Sequence, residues 1–63
     1  MLNPGTRARV TGDIRAGVTG EVAISGQRYL AHPFDRADAF QKGDSVVVVE
    51  YEPPRTVYVA EGL

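Results

Sequence analysis

Ser25, His32 and either Asp35 or Asp38 are the residue types of a hydrolytic triad, in which an imidazole takes the serine proton and a carboxylate orients the imidazole. Their surroundings do not suit that chemistry. Ser25 precedes Gly26 between Ile24 and Gln27, as in a two-residue hairpin turn, with no strand-turn-helix elbow of the hydrolase type beneath it. His32 is the single histidine, and without a cysteine or a second imidazole it has no companions for a metal site. At a strand end before Pro33 it fits a solvated or hydrogen-bonded side chain. The eight acidic residues are spread over strand ends and turns, so no acid and base are paired for catalysis. No catalytic, cofactor-binding or metal-ligating residue is assigned, and the chain is expected not to be an enzyme.

Two other groups of residues invite a chemical role. Gln41-Lys42-Gly43-Asp44-Ser45-Val46 is similar to the turn of biotinyl and lipoyl carrier domains that leads into the hairpin bearing the modified lysine. After the strand, however, this chain has Glu50-Tyr51-Glu52-Pro53-Pro54-Arg55, and Lys42 is its only lysine, so there is nothing to modify. Arg7, Arg9 and Arg28 are expected to point outward from neighbouring strands with Glu21 between them. Opposite charges on adjacent strands support one another by about 0.2–1 kcal/mol each, which accounts for the cluster without a ligand.

The elements that position these residues follow from composition and periodicity. A 63-residue chain has room for one domain, taken as residues 1–63 with its ordered part from about 5 to 60. With no cysteine there are no disulfides, so apolar packing and sheet hydrogen bonds must hold the fold. Seven basic against eight acidic side chains leave a net charge of −1, where a phosphate-tracking protein carries a basic surplus. No apolar run approaches the roughly 20 residues of a membrane-spanning helix, and Met1-Leu2-Asn3-Pro4 lacks the features of a signal peptide. The segment is therefore expected to be soluble, with no direct membrane insertion.

Turn residues recur at Gly12-Asp13, Ala16-Gly17, Ser25-Gly26, Lys42-Gly43-Asp44 and Pro53-Pro54, with short Val-, Ile- and Tyr-rich runs between them. That spacing predicts an all-β barrel of five antiparallel strands. The strands are placed at Thr6 to Asp13, Val18 to Ser25, Gln27 to His32, Val46 to Tyr51 and Thr56 to Ala60. Alternation predicts a buried set of Val10, Val22, Ile24, Tyr29, Phe34, Phe40, Val46, Val48, Val57 and Val59. Gly20 is expected to let its strand bend around a tight barrel. Ser25-Gly26 fits a type I′ turn. Between strands three and four, Asp35 is expected to cap a short helical turn through Ala37 to Phe40, with Phe34 and Phe40 dipping into the core.

Read together, Gly5, then Gly20-Glu21-Val22-Ala23-Ile24-Ser25-Gly26-Gln27-Arg28-Tyr29-Leu30-Ala31, then Lys42-Gly43-Asp44-Ser45-Val46-Val47-Val48-Val49-Glu50, resembles the soluble C-terminal domain of the NfeD family. The likeness runs from Gly5 to Val59. One departure is the stretch Ala16-Gly17-Val18-Thr19, where the family often has a proline shortly before the glycine of strand two. The resemblance implies a five-stranded OB-type barrel that is normally attached to transmembrane helices. It also implies work beside stomatin-, prohibitin- or flotillin-like membrane scaffolds; the cytoplasmic side is the one expected for this domain. The serine-protease domain of long family members has no counterpart in this chain.

The function expected on this basis is a non-enzymatic protein-interaction domain, with a homo-oligomer as a further possibility. The alternative is an OB domain that binds single-stranded nucleic acid by stacking bases on the outer side of strands two and three. That side offers Thr19, Glu21, Ala23 and Ser25, then Arg28, Leu30 and His32, with no Phe, Tyr or Trp. Nucleic acid is therefore not expected as a partner. Val46-Val47-Val48-Val49 places two valines inward and two outward in any register. Val47 and Val49, with Tyr51 at the strand's end, are nominated as the protein-binding surface, since an interface needs an apolar centre.

Overall fold

A computed structural model describes residues 4–62 of the chain; Met1, Leu2 and Asn3, which open the predicted domain, and Leu63, which ends it, lie outside the described residues. Five strands are present: β1 (Arg7–Gly12), β2 (Gly20–Ile24), β3 (Gln27–Pro33), β4 (Ser45–Glu52) and β5 (Thr56–Glu61). They close into a barrel in the order β1-β2-β3-β5-β4, with β4 returning to β1. This is the arrangement of an OB-type barrel. No helix among the described residues is long and apolar enough to cross a membrane.

The expectation that all strands are antiparallel needs correction, because β3 and β5 run parallel, pairing Leu30 with Thr56 and Pro33 with Val59. The cause is topological. Residues 34–44 carry the chain from the end of β3 to the start of β4, and β4 and β5 form an antiparallel hairpin, so β5 meets β3 in its own direction. The remaining ladders are antiparallel.

Alternation explains the core. Ala8, Val10, Val22, Ile24, Ala31, Val46, Val48, Val57 and Val59 all face inward, joined by Ile14 and Phe40 from the loops, with Tyr29 and Tyr51 half-buried against them. Ser25 (φ 50°) and Gly26 (φ 82°) both adopt positive φ between the paired Ile24 and Gln27, as a type I′ turn demands.

Two predicted features of the β3–β4 connection are corrected. No helical turn forms: Asp35 accepts the Ala37 N–H on Oδ1 (2.9 Å) and the Asp38 N–H on its carbonyl (2.9 Å), which closes a tight turn that does not propagate. Phe34 is not buried either, being 54% exposed. β3 extends one residue further than expected, so Pro33 takes the inward position and the Phe34 N–H continues the ladder to the Val59 carbonyl (2.9 Å). The next side chain must then face outward.

The plug at that end is built by Phe40 and Ile14, whose backbones exchange both hydrogen bonds (2.9 and 2.8 Å). Gly20 makes room for it. A Cβ there would lie 2.5 Å from Ile14 Cγ1 and 2.7 Å from the Asp13 carbonyl oxygen, so close approach rather than bending is what requires the glycine. β2 accordingly begins at Gly20 and not at Val18, whose N–H closes a small turn onto the Arg15 carbonyl (3.1 Å).

Candidate functional site

The triad types do not meet. Ser25 precedes β3 and Asp35 follows it, and a seven-residue strand spans about 20 Å. His32 lies near the far end of that strand, and the Asp35 carboxylate is engaged with its own loop. No group of three or more His, Asp or Glu side chains converges among the described residues.

The charged cluster forms as a surface pairing. Glu21 accepts the Thr11 hydroxyl (2.9 Å) and lies 3.7 Å from the Arg28 guanidinium. Exposed pairs of this kind contribute about 0–1 kcal/mol. Among the described residues Arg9 reaches only the Gly43 carbonyl, at 3.4 Å.

The nominated residues separate. Val47 and Val49 are half-buried on the outside of β4, with Val47 opposite Ala60 on one side and Arg7 on the other. Between Val48 and Glu50 the β4–β5 register shifts, so Val49 is an extra residue on β4, a β-bulge. Beyond it the facing reverses. Glu50 sits outward opposite Tyr58, and Tyr51 pairs with Val57, packs against the core, and donates its hydroxyl to the Pro54 carbonyl (3.0 Å). Its ring meets that of Tyr29 edge-on, with centroids 6.3 Å apart. Tyr51 is therefore a core-facing residue, and it does not share the outer face of Val47.

In its place the outer face gains residues from β3 and β5. His32 is opposite Tyr58, with their rings 5.7 Å apart and tilted by 35°. Phe34, one step beyond the buried Pro33, and Ala60, one step beyond the buried Val59, face the same way. The register sets Val47 beside Ala60 and His32 beside Tyr58, and Phe34, one residue past β3, is held at that side by its N–H on the Val59 carbonyl. Only strand parity could have revealed Phe34, and it required knowing that β3 continues through Pro33. Beside the rings, a shallow cleft of about 270 Å³ lies between the Ala16-Gly17 turn, His32, Pro33, Tyr58 and Arg36.

Comparison with known proteins agrees with this architecture. Residues 7–60 match the model of the NfeD C-terminal domain. Among solved structures the chain is similar to the soluble domain of a membrane protein implicated in regulation of membrane protease activity from Corynebacterium glutamicum. The two share 30% identity over 90% of this chain and 87% of that one, with a TM-score of 0.82. No curated protein matches the chain. The family match covers the barrel from the start of β1 through all but the last residue of β5, and the chain belongs to the NfeD family as a copy of its C-terminal domain.

Proposed function

We propose that this barrel is a non-enzymatic protein-interaction domain, the soluble part of a membrane-anchored NfeD-like protein that acts with stomatin-, prohibitin- or flotillin-like scaffolds on the cytoplasmic side. The observation that carries this reading is the apolar outer side of β3, β5 and β4, where Val47 and Ala60 pair and Phe34, one residue past β3, is 54% exposed. Aromatic and aliphatic side chains at the centre of a patch, with charges such as Arg7 and Glu50 at its margin, are the composition of a protein–protein contact. The solved relative, described as the soluble domain of a membrane protein, supports the membrane-anchored context.

A single observation favours nucleic acid instead, namely the His32–Tyr58 ring pair, in which β5 adds to β3 the aromatic ring that β2 and β3 alone do not offer for stacking. Glu50 beside Tyr58 and the net charge of −1 oppose a phosphate backbone there. The deciding experiment substitutes Phe34→Lys together with Val47→Lys and measures folding, capture of a stomatin-like protein from the same organism, and binding to oligothymidylate across a salt series. The variant is expected to keep its amide dispersion and lose the protein partner. Tight, steeply salt-dependent oligonucleotide binding by the unaltered chain, with no capture of the scaffold protein, would reverse the assignment.

A further inference from the structure

The cleft at the end of the outer face has a chemistry of its own. Its walls are the His32 and Tyr58 rings, Pro33 and the small residues Ala16 and Gly17. Its single charged side chain is Arg36, which is exposed and makes no hydrogen bond or ion pair among the described residues. No carboxylate among the described residues forms an ion pair with it, neither its chain neighbours Asp35 and Asp38 nor Glu50. Asp35 is held by the Ala37 N–H at 2.9 Å, and Glu50 lies across Tyr58 on the β4 side, opposite to His32. Gly17, at φ +79°, has nothing within 4 Å of the position a Cβ would take, so that wall is open to an incoming group. Val18 (38% exposed) and Phe34 (54%) follow Gly17 and Pro33 directly in the chain.

A volume of about 270 Å³ is at the lower edge of the range that encloses free small molecules. It suits one side chain of a larger docked segment. Apolar walls with one unpaired guanidinium select an occupant that brings both an apolar side chain and a carboxylate, since a guanidinium forks onto a carboxylate with two parallel hydrogen bonds. We infer that this cleft is the anchor pocket for a protein segment carrying an apolar side chain next to an acidic one, with the rings taking the first and Arg36 the second. The inference rests on the protein-interaction reading above and adds the partner's chemistry. A nucleobase would fit the rings as well, but a net charge of −1 gives this chain no basic surplus to track a run of phosphates.

The test titrates the isotope-labelled chain with two capped peptides, one alternating leucine and aspartate and the other leucine and asparagine, followed by amide shifts. The acidic peptide is expected to shift Gly17, His32, Arg36 and Tyr58, and to bind about tenfold more tightly than its neutral analogue, the effect of one charge-assisted contact. Arg36→Glu should remove that preference and Arg36→Lys should keep part of it, both with unchanged amide dispersion elsewhere. The inference is overturned if the acidic peptide leaves these residues unshifted, if both peptides bind alike, or if Arg36→Glu changes nothing. Saturation of the same residues by oligothymidylate in preference to the peptide would overturn it in favour of base stacking. Scaffold capture separates the two levels: if Arg36→Glu still captures the scaffold normally, the cleft assignment fails alone, and if the unaltered chain captures none, the interaction reading fails.

Discussion

At the scale of single residues, the tightest constraint is the contact between Gly20 and Ile14. Ile14 is 1% exposed although it sits in a loop between Asp13 and Arg15, two residues past the end of β1. Its burial depends on the exchange of hydrogen bonds with Phe40, a partner 26 positions away, and no local pattern encodes that pairing. Ile14→Ala is expected to cost roughly 2–4 kcal/mol in urea unfolding, because a small barrel has little freedom to close the cavity. Gly20→Ala should cost about 1–3 kcal/mol through overpacking. Removing the isoleucine side chain should relieve only part of that cost, since the Asp13 carbonyl oxygen, 2.7 Å from the added Cβ, is backbone and remains. Full rescue in the double variant would show that the side chain alone sets the clash.

At the scale of elements, strands with one core face and one wet face were legible in advance, because period-two alternation is a direct consequence of the pleat. The Ser25-Gly26 turn was legible for a similar reason, as two consecutive positive φ values favour glycine in the second place. Where a single residue changed the parity, sequence reasoning failed. Continuous alternation from Val46 would put Tyr51 outward, and the bulge at Val49 turns it inward; one further strand residue at Pro33 turns Phe34 outward. Two of the three nominated residues, Val47 and Val49, therefore lie on the outside of the barrel, while Tyr51 has become structural. Tyr51→Ala should accordingly destabilise the fold by roughly 1–3 kcal/mol, as partial loss of a packed ring does. Tyr51→Phe, which removes only the bond to the Pro54 carbonyl, should cost no more than about 1 kcal/mol. Chemical denaturation of both variants measures this, and a neutral Tyr51→Ala would place the ring outside the core after all.

At the scale of the whole molecule, the parallel β3–β5 ladder is the seam that closes the barrel, and it joins residues that no local signal associates. Closure leaves every strand paired on both sides, so no strand can leave the sheet without opening two ladders. A chain of 63 residues has a stability of about 3–9 kcal/mol at typical values per residue. An unpaired carboxylate in its interior costs several kcal/mol, which is comparable with the whole. Ile24 on β2 and Val48 on β4 are 5% and 1% exposed, and their strands do not adjoin in the barrel. Ile24→Asp and Val48→Asp should therefore each unfold all five strands together, and amide dispersion should collapse across the spectrum rather than near the substitution alone. Dispersion retained on strands remote from the substituted one would mean that the ladders open independently, and that closure does not couple them.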